Sequence, residues 1–382
     1  MKIVAAIDSF KGSMSSLEVA DAFELGARKV FSNLEVVKLS LADGGEGTVE
    51  SLVDGGNGDI ITLKVKNPLM REIESFYGII KNKNLAVIEM AAASGLPLLS
   101  KEERNPMKTS TFGTGELIKD ALKKGCREFI VGIGGSATND GGIGMLSALG
   151  YKFLDRSGKI LDPIGENLIN IETIDTSDVM PELKVSSFLV ACDVDNPLYG
   201  ERGAAEVYSR QKGATEEMVT ELDNGLKHFS EIVMKQFNIE IGNYPGAGAA
   251  GGLGGGFLGF LNAQLKPGID IIIETIGLEE QIKDADLVIT GEGRIDFQSI
   301  MGKTPVGVGK LAKKYNIPVI AIAGCLADNA DLVHDHGIDA IFSIINHPLD
   351  LEDALKKENA LKFVEKNAEQ IMRLIKLSSK II

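Results

Sequence analysis

The sequence predicts an α/β protein of two domains, one built from both chain ends around an open parallel sheet and one inserted between them. Three observations carry this. Short apolar runs alternate with amphipathic helical segments at the N-terminus, and the same alternation returns near residue 285. From about residue 60 the texture changes to hairpin-style strands. The chain's 382 residues and 44% hydrophobic content are ample for more than one core.

In order, Ile3–Ile7 is a continuous apolar run ending at Asp8, which suits a buried parallel strand. A helix follows, with Ser15-x-x-Glu18 as its capping box and Val19, Ala22, Phe23, Gly26, Ala27 and Val30 as its apolar face. Val36–Ala42 is a second strand, ending at Asp43-Gly44-Gly45-Glu46-Gly47. Both strands therefore deliver a carboxylate at their carboxyl end, where open α/β sheets bind ligands. Asp59–Lys66 and Glu72–Met90 read as hairpin strands, with Lys81–Asn84 as a polar turn. Thr114–Lys124 is a helix stopped by Gly125. Phe129–Val131, a loop over 132–142 and Gly142–Leu149 make a strand, loop and short helix. Phe188–Asp193 is a strand, followed by a polar loop to Ala214 and a helix of about twenty residues.

Residues 245–256, PGAGAAGGLGGG, have almost no Ser and are flanked by apolar residues, which favours a packed, backbone-exposing loop over a flexible linker. Asp286–Thr290 is a strand ending in GEGRID, Val306–Tyr315 a helix, and Pro318–Ala323 and Ala340–Ile345 strands. The tail helix carries Leu351, Leu355, Leu361, Val364, Ala368, Ile371 and Ile375 on one face. The domains are thus expected at 1–60 with 270–382, and at 61–269. No internal repeat is visible.

Composition narrows the function. The formal net charge of −14 disfavours a sequence-independent nucleic-acid binder, which needs a basic face. Cys126, Cys192 and Cys325 are scattered without paired spacing, as in a reduced, cytoplasmic protein. The opening MKIVAAIDSFKG does not read as a secretory signal, and no run reaches the length of a membrane span. His334 and His336 sit in a polar turn with no third ligand at zinc-type spacing.

The most informative stretch is GIGGSATNDGG (132–142), directly after a buried strand. Glycines such as Gly134 and Gly135 permit unusual dihedrals and leave backbone N–H groups exposed, which forms an anion nest. Ser136, Thr138, Asn139 and Asp140 add polar side chains. A rival reading is a dinucleotide fingerprint at Gly132-x-Gly134-x-x-Ala137, with Asp155 as the ribose-binding acid. Against it, the loop continues where the helix of that motif would begin. The same pattern also recurs at Gly246, Gly248 and Gly251 with no strand before it.

Residues 297–304 resemble the end of a P-loop, but Phe297 stands where glycine is required. What remains is Gly302-Lys303-Thr304 near Asp296. Asp8, Lys11 and Ser13 follow the first strand, and Asp43 and Glu46 follow the second. Asp193 and Asp195 end another strand, ahead of Arg202 and Lys212. Together these loops hold many backbone donors, several carboxylates and a few cations. There is no Ser-His-Asp signal and no thiolate cluster. Phosphoryl transfer fits that inventory, because the protein mainly positions reactants and offsets phosphate charge. Mg²⁺ would bridge nucleotide phosphates and one or two carboxylates, and a further carboxylate would orient or deprotonate an acceptor hydroxyl.

The segments DSFKGS (8–13), LADGGEGT (41–48), EMAAASGLPLL (89–99), TSTFGTGELI (109–118), GIGGSATNDGG (132–142), CDVDNPLYGERGAAEVYSRQKGA (192–214), PGAGAAGGLGGG (245–256) and DLVITGEGRIDFQS (286–299) occur in this order over nearly the whole chain. Together they resemble the bacterial type of glycerate kinase. The resemblance implies ATP-dependent phosphorylation of D-glycerate with Mg²⁺, most often at the 2-hydroxyl, giving 2-phosphoglycerate. It also implies a Rossmann-like, doubly wound α/β domain, an inserted mixed α/β domain and an active site in the cleft between them.

Chemistry and motif position then nominate residues. Asp296 or Asp193 is the expected general base, with Asp8 and Lys11 beside it in the catalytic set. Asp43 and Glu46 are the metal candidates. Lys11, Lys212, Arg294 and Lys303 are expected to neutralise phosphate and the glycerate carboxylate. Ser13 and the loop from Gly134 through Asp140 are expected to bind phosphate or substrate. A homodimer is a possible assembly, with no coiled-coil seam to support it. Two other classes stay open on the residues alone: a nicotinamide-dependent oxidoreductase, resting on Gly132–Ala137 and Asp155, and a non-catalytic sensor of a small anion.

Overall fold

The computed structural model describes residues 1–42, 44–45, 47–297 and 299–378. Its strands in chain order are β1 (Lys2–Asp8), β2 (Glu35–Leu41), β3 (Asp59–Lys66), β4 (Glu72–Ile80), β5 (Leu85–Glu89), β6 (Glu128–Gly132), β7 (Lys152–Leu154), β8 (Thr173–Asp175), β9 (Ser187–Ala191), β10 (Gln264–Lys266), β11 (Leu287–Ile295), β12 (Val319–Leu326) and β13 (Ala340–Ser343). The chain divides into two compact units, Met1–Asp43 with Ile272–Ile382, and Gly44–Ile271.

The first unit holds a parallel sheet in the order β13-β12-β11-β1-β2. Both chain ends build it, as the alternating apolar runs predict. Renumbered within the unit, this is the 2-1-3-4-5 doubly wound order, whose switch point lies between β1 and β11. Ile3–Ile7 is buried on both faces of the sheet, which explains its unbroken apolar run. Ile3, Ala5 and Ile7 pack with Val19, Phe23, Phe363 and Val364 in one core.

The helix Ser16–Arg28 starts with the expected capping box, in which Ser15 accepts from the Glu18 N–H and Glu18 accepts from the Ser15 N–H. Ser16 Oγ donates to the Ile7 carbonyl at 2.5 Å and accepts from the Leu41 N–H at 3.1 Å, so the helix start is pinned to the ends of both strands.

At the switch point the strands part. The β1–β11 pairing covers only Ile3–Ala5 against Leu287–Ile289, whereas β11 stays with β12 as far as Ile295 opposite Leu326. The sequence predicts a strand that stops at Thr290; instead β11 runs on through Gly291-Glu292-Gly293-Arg294-Ile295. Two glycines do not end the strand, because β12 pairs with it at Gly291, Glu292, Arg294 and Ile295. A crevice therefore opens between Asp8 and the extended half of β11.

The tail departs from expectation too. Leu351–Leu355 is a short separate helix, and the long helix begins at Lys357. Lys356 takes an extended conformation (φ −60°, ψ 120°) that breaks the continuity, so Leu351 and Leu355 do not join the buried face of Phe363, Val364, Ala368 and Ile371.

The second unit holds a mixed sheet in the order β10-β9-β6-β5-β4-β3. β3, β4 and β5 pair antiparallel, as the hairpin pattern predicts, and β5, β6, β9 and β10 run parallel. β7 and β8 form a small separate ribbon. The helix Glu216–Phe237 fills the place of the long helix expected after Ala214, with Thr215 as its N-cap.

The glycine run is packed, as expected, but it is not a loop throughout. A helix spans Ala249–Leu261, interrupted by left-handed Ala250, Gly251 and Gly252. Gly251 shows why a side chain is excluded: a Cβ there would lie 2.0 Å from the Thr138 carbonyl oxygen.

Candidate active site

In the first unit the crevice at the switch point is a cavity of about 380 Å³. Asp8, the last residue of β1, is buried on its lining. Its Oδ1 accepts from the Ser9 N–H at 2.6 Å and its Oδ2 from Thr304 Oγ1 at 3.1 Å. Glu292 is the second buried carboxylate on the lining. It accepts from Ser299 Oγ at 2.6 Å and lies 3.7 Å from Lys303 Nζ. Lys303 is the N-cap of the helix Thr304–Lys313 and follows Gly302, whose φ of +104° favours glycine. The turn that resembles the end of a P-loop thus delivers its lysine to the same cavity as Asp8.

Lys11, Ser13 and Arg294 also line it. Ser13 Oγ is buried and has no hydrogen-bond partner among the described residues. Arg294 Nε lies 3.3 Å from Asp296 Oδ2, and Asp296 is held in its turn by the Ser299 hydroxyl, which its N–H meets at 3.2 Å. Five expected site residues, Asp8, Lys11, Ser13, Arg294 and Lys303, therefore line one cavity, with Asp296 paired to one of them.

In the second unit the loop 132–142 is held from several sides. The Gly135 carbonyl accepts from the Leu96 N–H at 2.8 Å, and the Ala137 carbonyl accepts from Thr109 Oγ1 at 3.0 Å. Lys212 Nζ donates to Ser136 Oγ at 2.6 Å and to the Thr138 carbonyl at 2.7 Å. Lys212 is almost wholly buried, and that desolvation lowers its pKa to about 7 although nearby Asp140 opposes the shift. Asp140 is fully buried and accepts from Thr111 N and Oγ1 at 2.7 and 2.8 Å, from Gly142 N at 3.1 Å and from Gly144 N at 3.2 Å. Burial raises its pKa against the pull of those donors.

Thr138 and Asn139 are also fully buried, and Thr138 Oγ1 and both polar atoms of Asn139 have no protein partner among the described residues. Only Gly134 and Gly135 of this loop are exposed. The side chains expected to meet a ligand thus point into the fold. Asp140 instead bridges Thr111 to the Gly142 and Gly144 N–H groups, which need internal acceptors where they are buried.

The remaining sites are placed as follows. Asp193 is exposed and accepts from the Gly268 N–H at 2.9 Å. Asp43 and Glu46 lie outside the described residues. Asp155 Oδ1 accepts from Ser157 N and Lys159 N and holds the turn that follows β7. Among the described residues no group of three or more His, Cys, Asp or Glu side chains is placed to hold a metal by itself. No helix among them is long and apolar enough to cross a membrane.

Sequence reasoning singled out Thr304 beside Lys303 but missed its bond to Asp8, and it missed Glu292 and Ser299. Their signal is a charged residue between two glycines in a strand, with hydroxyls in the turn after it. It also missed Glu89, at the end of β5, which accepts from the Val49 N–H at 2.9 Å at the start of the helix Thr48–Gly56. Burial pushes the Glu89 carboxyl up to about 7, although the backbone N–H groups of Val49, Thr48 and Gly47 pull it down.

Comparison with known proteins agrees with this layout. The model of the glycerate kinase family matches residues 3–376. A glycerate kinase of Haemophilus influenzae is 54% identical over 94% of this chain and 94% of its own length. A glycerate 2-kinase of Escherichia coli is 49% identical over 93% of each. A crystal structure of a candidate glycerate kinase 2 from Salmonella typhimurium LT2 superposes with a TM-score of 0.92 at 45% identity, covering 100% of this chain and 99% of that one. A match of this length, on a chain whose strand ends gather buried carboxylates and cations, shows that the chain belongs to the glycerate kinase family and is an enzyme of that kind.

Proposed function

We propose that the chain transfers the γ-phosphoryl group of ATP to the 2-hydroxyl of D-glycerate, yielding 2-phosphoglycerate and ADP. The observation that carries this is the crevice where β1 and β11 part: two buried carboxylates, Asp8 and Glu292, share it with Lys11, Arg294 and Lys303. A site of that charge pattern suits a phosphate chain, because cations offset its charge while carboxylates hold a metal or a proton. The choice of the 2-hydroxyl is supported by the name of the Escherichia coli relative.

Mg²⁺ fits the donor set. It takes one or two carboxylates and leaves its other positions to phosphate oxygens and water. Asp8 and Glu292 are the described residues that would hold it, and once bound it would offset charge on the phosphate oxygens.

Lys11, Lys303 and Arg294 hold phosphate oxygens in place, and the unpartnered Ser13 hydroxyl is an additional donor. Asp296, one residue beyond β11, accepts the proton of the glycerate hydroxyl as its oxygen bonds to phosphorus and the bond to the ADP oxygen breaks. Asp193 is the second reading for this role. Lys212 and Asp140 act on the loop rather than on substrate: they fix residues 136–144 so that the exposed Gly134 and Gly135 keep one conformation. The reaction is tested by ADP release, which should require D-glycerate and Mg²⁺ together. Release that is indifferent to glycerate would contradict it.

A further inference from the structure

The cavity in the first unit has two unlike halves. One is the charged half just described. The other is a wall of Ile344, Ile345, Leu351, Ala354, Leu355 and Ala360. Leu351 is 73% exposed and Leu355 40%, on a five-residue helix that the break at Lys356 keeps out of the core. Large side chains left in solvent beside a cavity, when a continuous helix would have carried on toward the core, need a partner.

Glycerate does not supply one. It has three carbons, each bearing oxygen, and presents no apolar face. A cavity of about 380 Å³ lies in the range of small-molecule sites and is far larger than a three-carbon acid fills. A nucleotide has the matching asymmetry, with an apolar heterocycle at one end and a phosphate chain at the other.

We propose that the wall of Leu351, Leu355 and Ile345 seats the base of the nucleotide, with its phosphates toward Lys11, Arg294 and Lys303. This places ATP in the unit built from both chain ends. The inference rests on the reading that the chain uses ATP. The wall side chains carry no hydrogen-bonding group, so they hold the base by contact area and desolvation alone.

The test uses the full chain with Leu351→Glu and Leu351→Ala, read by calorimetric titration of MgADP, by steady-state kinetics and by competition with inorganic pyrophosphate. Leu351 is exposed, so both variants should melt with the wild type. Leu351→Glu should raise the MgADP Kd and the KM for ATP by about tenfold, and Leu351→Ala by several-fold, because each removes apolar contact with the base. The KM for D-glycerate should stay within about twofold, and so should inhibition by pyrophosphate, which has no base to lose. Unchanged MgADP affinity in both variants, or equal weakening of pyrophosphate, would overturn the assignment. MgADP binding needs no acceptor, so failure of glycerate turnover with this pattern intact would count against the proposed reaction and not against the base site.

Discussion

Thr304 Oγ1 donates to Asp8 Oδ2 at 3.1 Å, joining residues 296 positions apart in the chain. The bond ties the end of β1 to the first turn of the helix that follows Lys303. It therefore fixes a cavity carboxylate relative to a cavity lysine. Asp8→Asn keeps the shape but removes the charge, and kcat should fall by at least about 10²-fold. Thr304→Val removes only the orienting bond and should cost about tenfold, in line with one net hydrogen bond. Steady-state kinetics on variants of unchanged melting temperature checks both. Equal losses would mean that Asp8 acts through structure alone.

Asp296 and Asp193 compete for the role of base. Asp296 sits beside Arg294 in the same unit as the cavity, whereas one Asp193 oxygen already accepts the Gly268 N–H. Asp296→Asn should lower kcat by about 10³-fold with little change in KM, and Asp193→Asn by about tenfold at most. The reverse order of losses would move the base to Asp193.

Lys212 should act as a positioning residue. Lys212→Met keeps the length of the stem but leaves the Thr138 carbonyl without its donor, at a cost of about 2 kcal/mol in urea unfolding. Activity should fall together with protection of the 134–140 amides in hydrogen exchange. A large loss of activity with unchanged amide protection would instead give Lys212 a direct contact with substrate.

Glu89 gives a pH signature. Its carboxyl is raised to about 7 in the fold, so the unfolded chain loses this proton first as pH rises. Its contribution to stability is fully present below its unfolded pKa and is lost as pH rises through about 7. The loss should be on the order of 3 kcal/mol between the two limits. Glu89→Gln can still accept from Val49 N but does not ionise, so its urea stability should lack this fall. Parallel wild-type and variant profiles would show that Glu89 is not the group responsible.

The local signals were the legible ones. The Ser15–Glu18 capping box, the β3–β5 hairpin pattern and the apolar run ending at Asp8 all depend on neighbours in sequence, and the structure has each of them. What the sequence hid depends on distant partners. β11 passes through two glycines because β12 pairs with it, and so Glu292 falls inside a strand instead of a turn. The break at Lys356 has no glycine or proline to announce it, and the wall of Leu351 and Leu355 follows from that break. Asp140 reads as a ligand-binding side chain of an anion loop, but distant Thr111 and the nearby Gly142 and Gly144 N–H groups claim it. Asp43 and Glu46 lie outside the described residues.

The central claim is phosphorylation of D-glycerate at its 2-hydroxyl, and proton-coupled ³¹P NMR of the product tests it most directly. Phosphate on the C2 oxygen is coupled to the single C2 proton, so incubation with MgATP and D-glycerate should give a phosphomonoester doublet. A triplet, from the two protons of C3, would show 3-phosphoglycerate and contradict the claim, and ADP formation with no new phosphomonoester would contradict the reaction altogether.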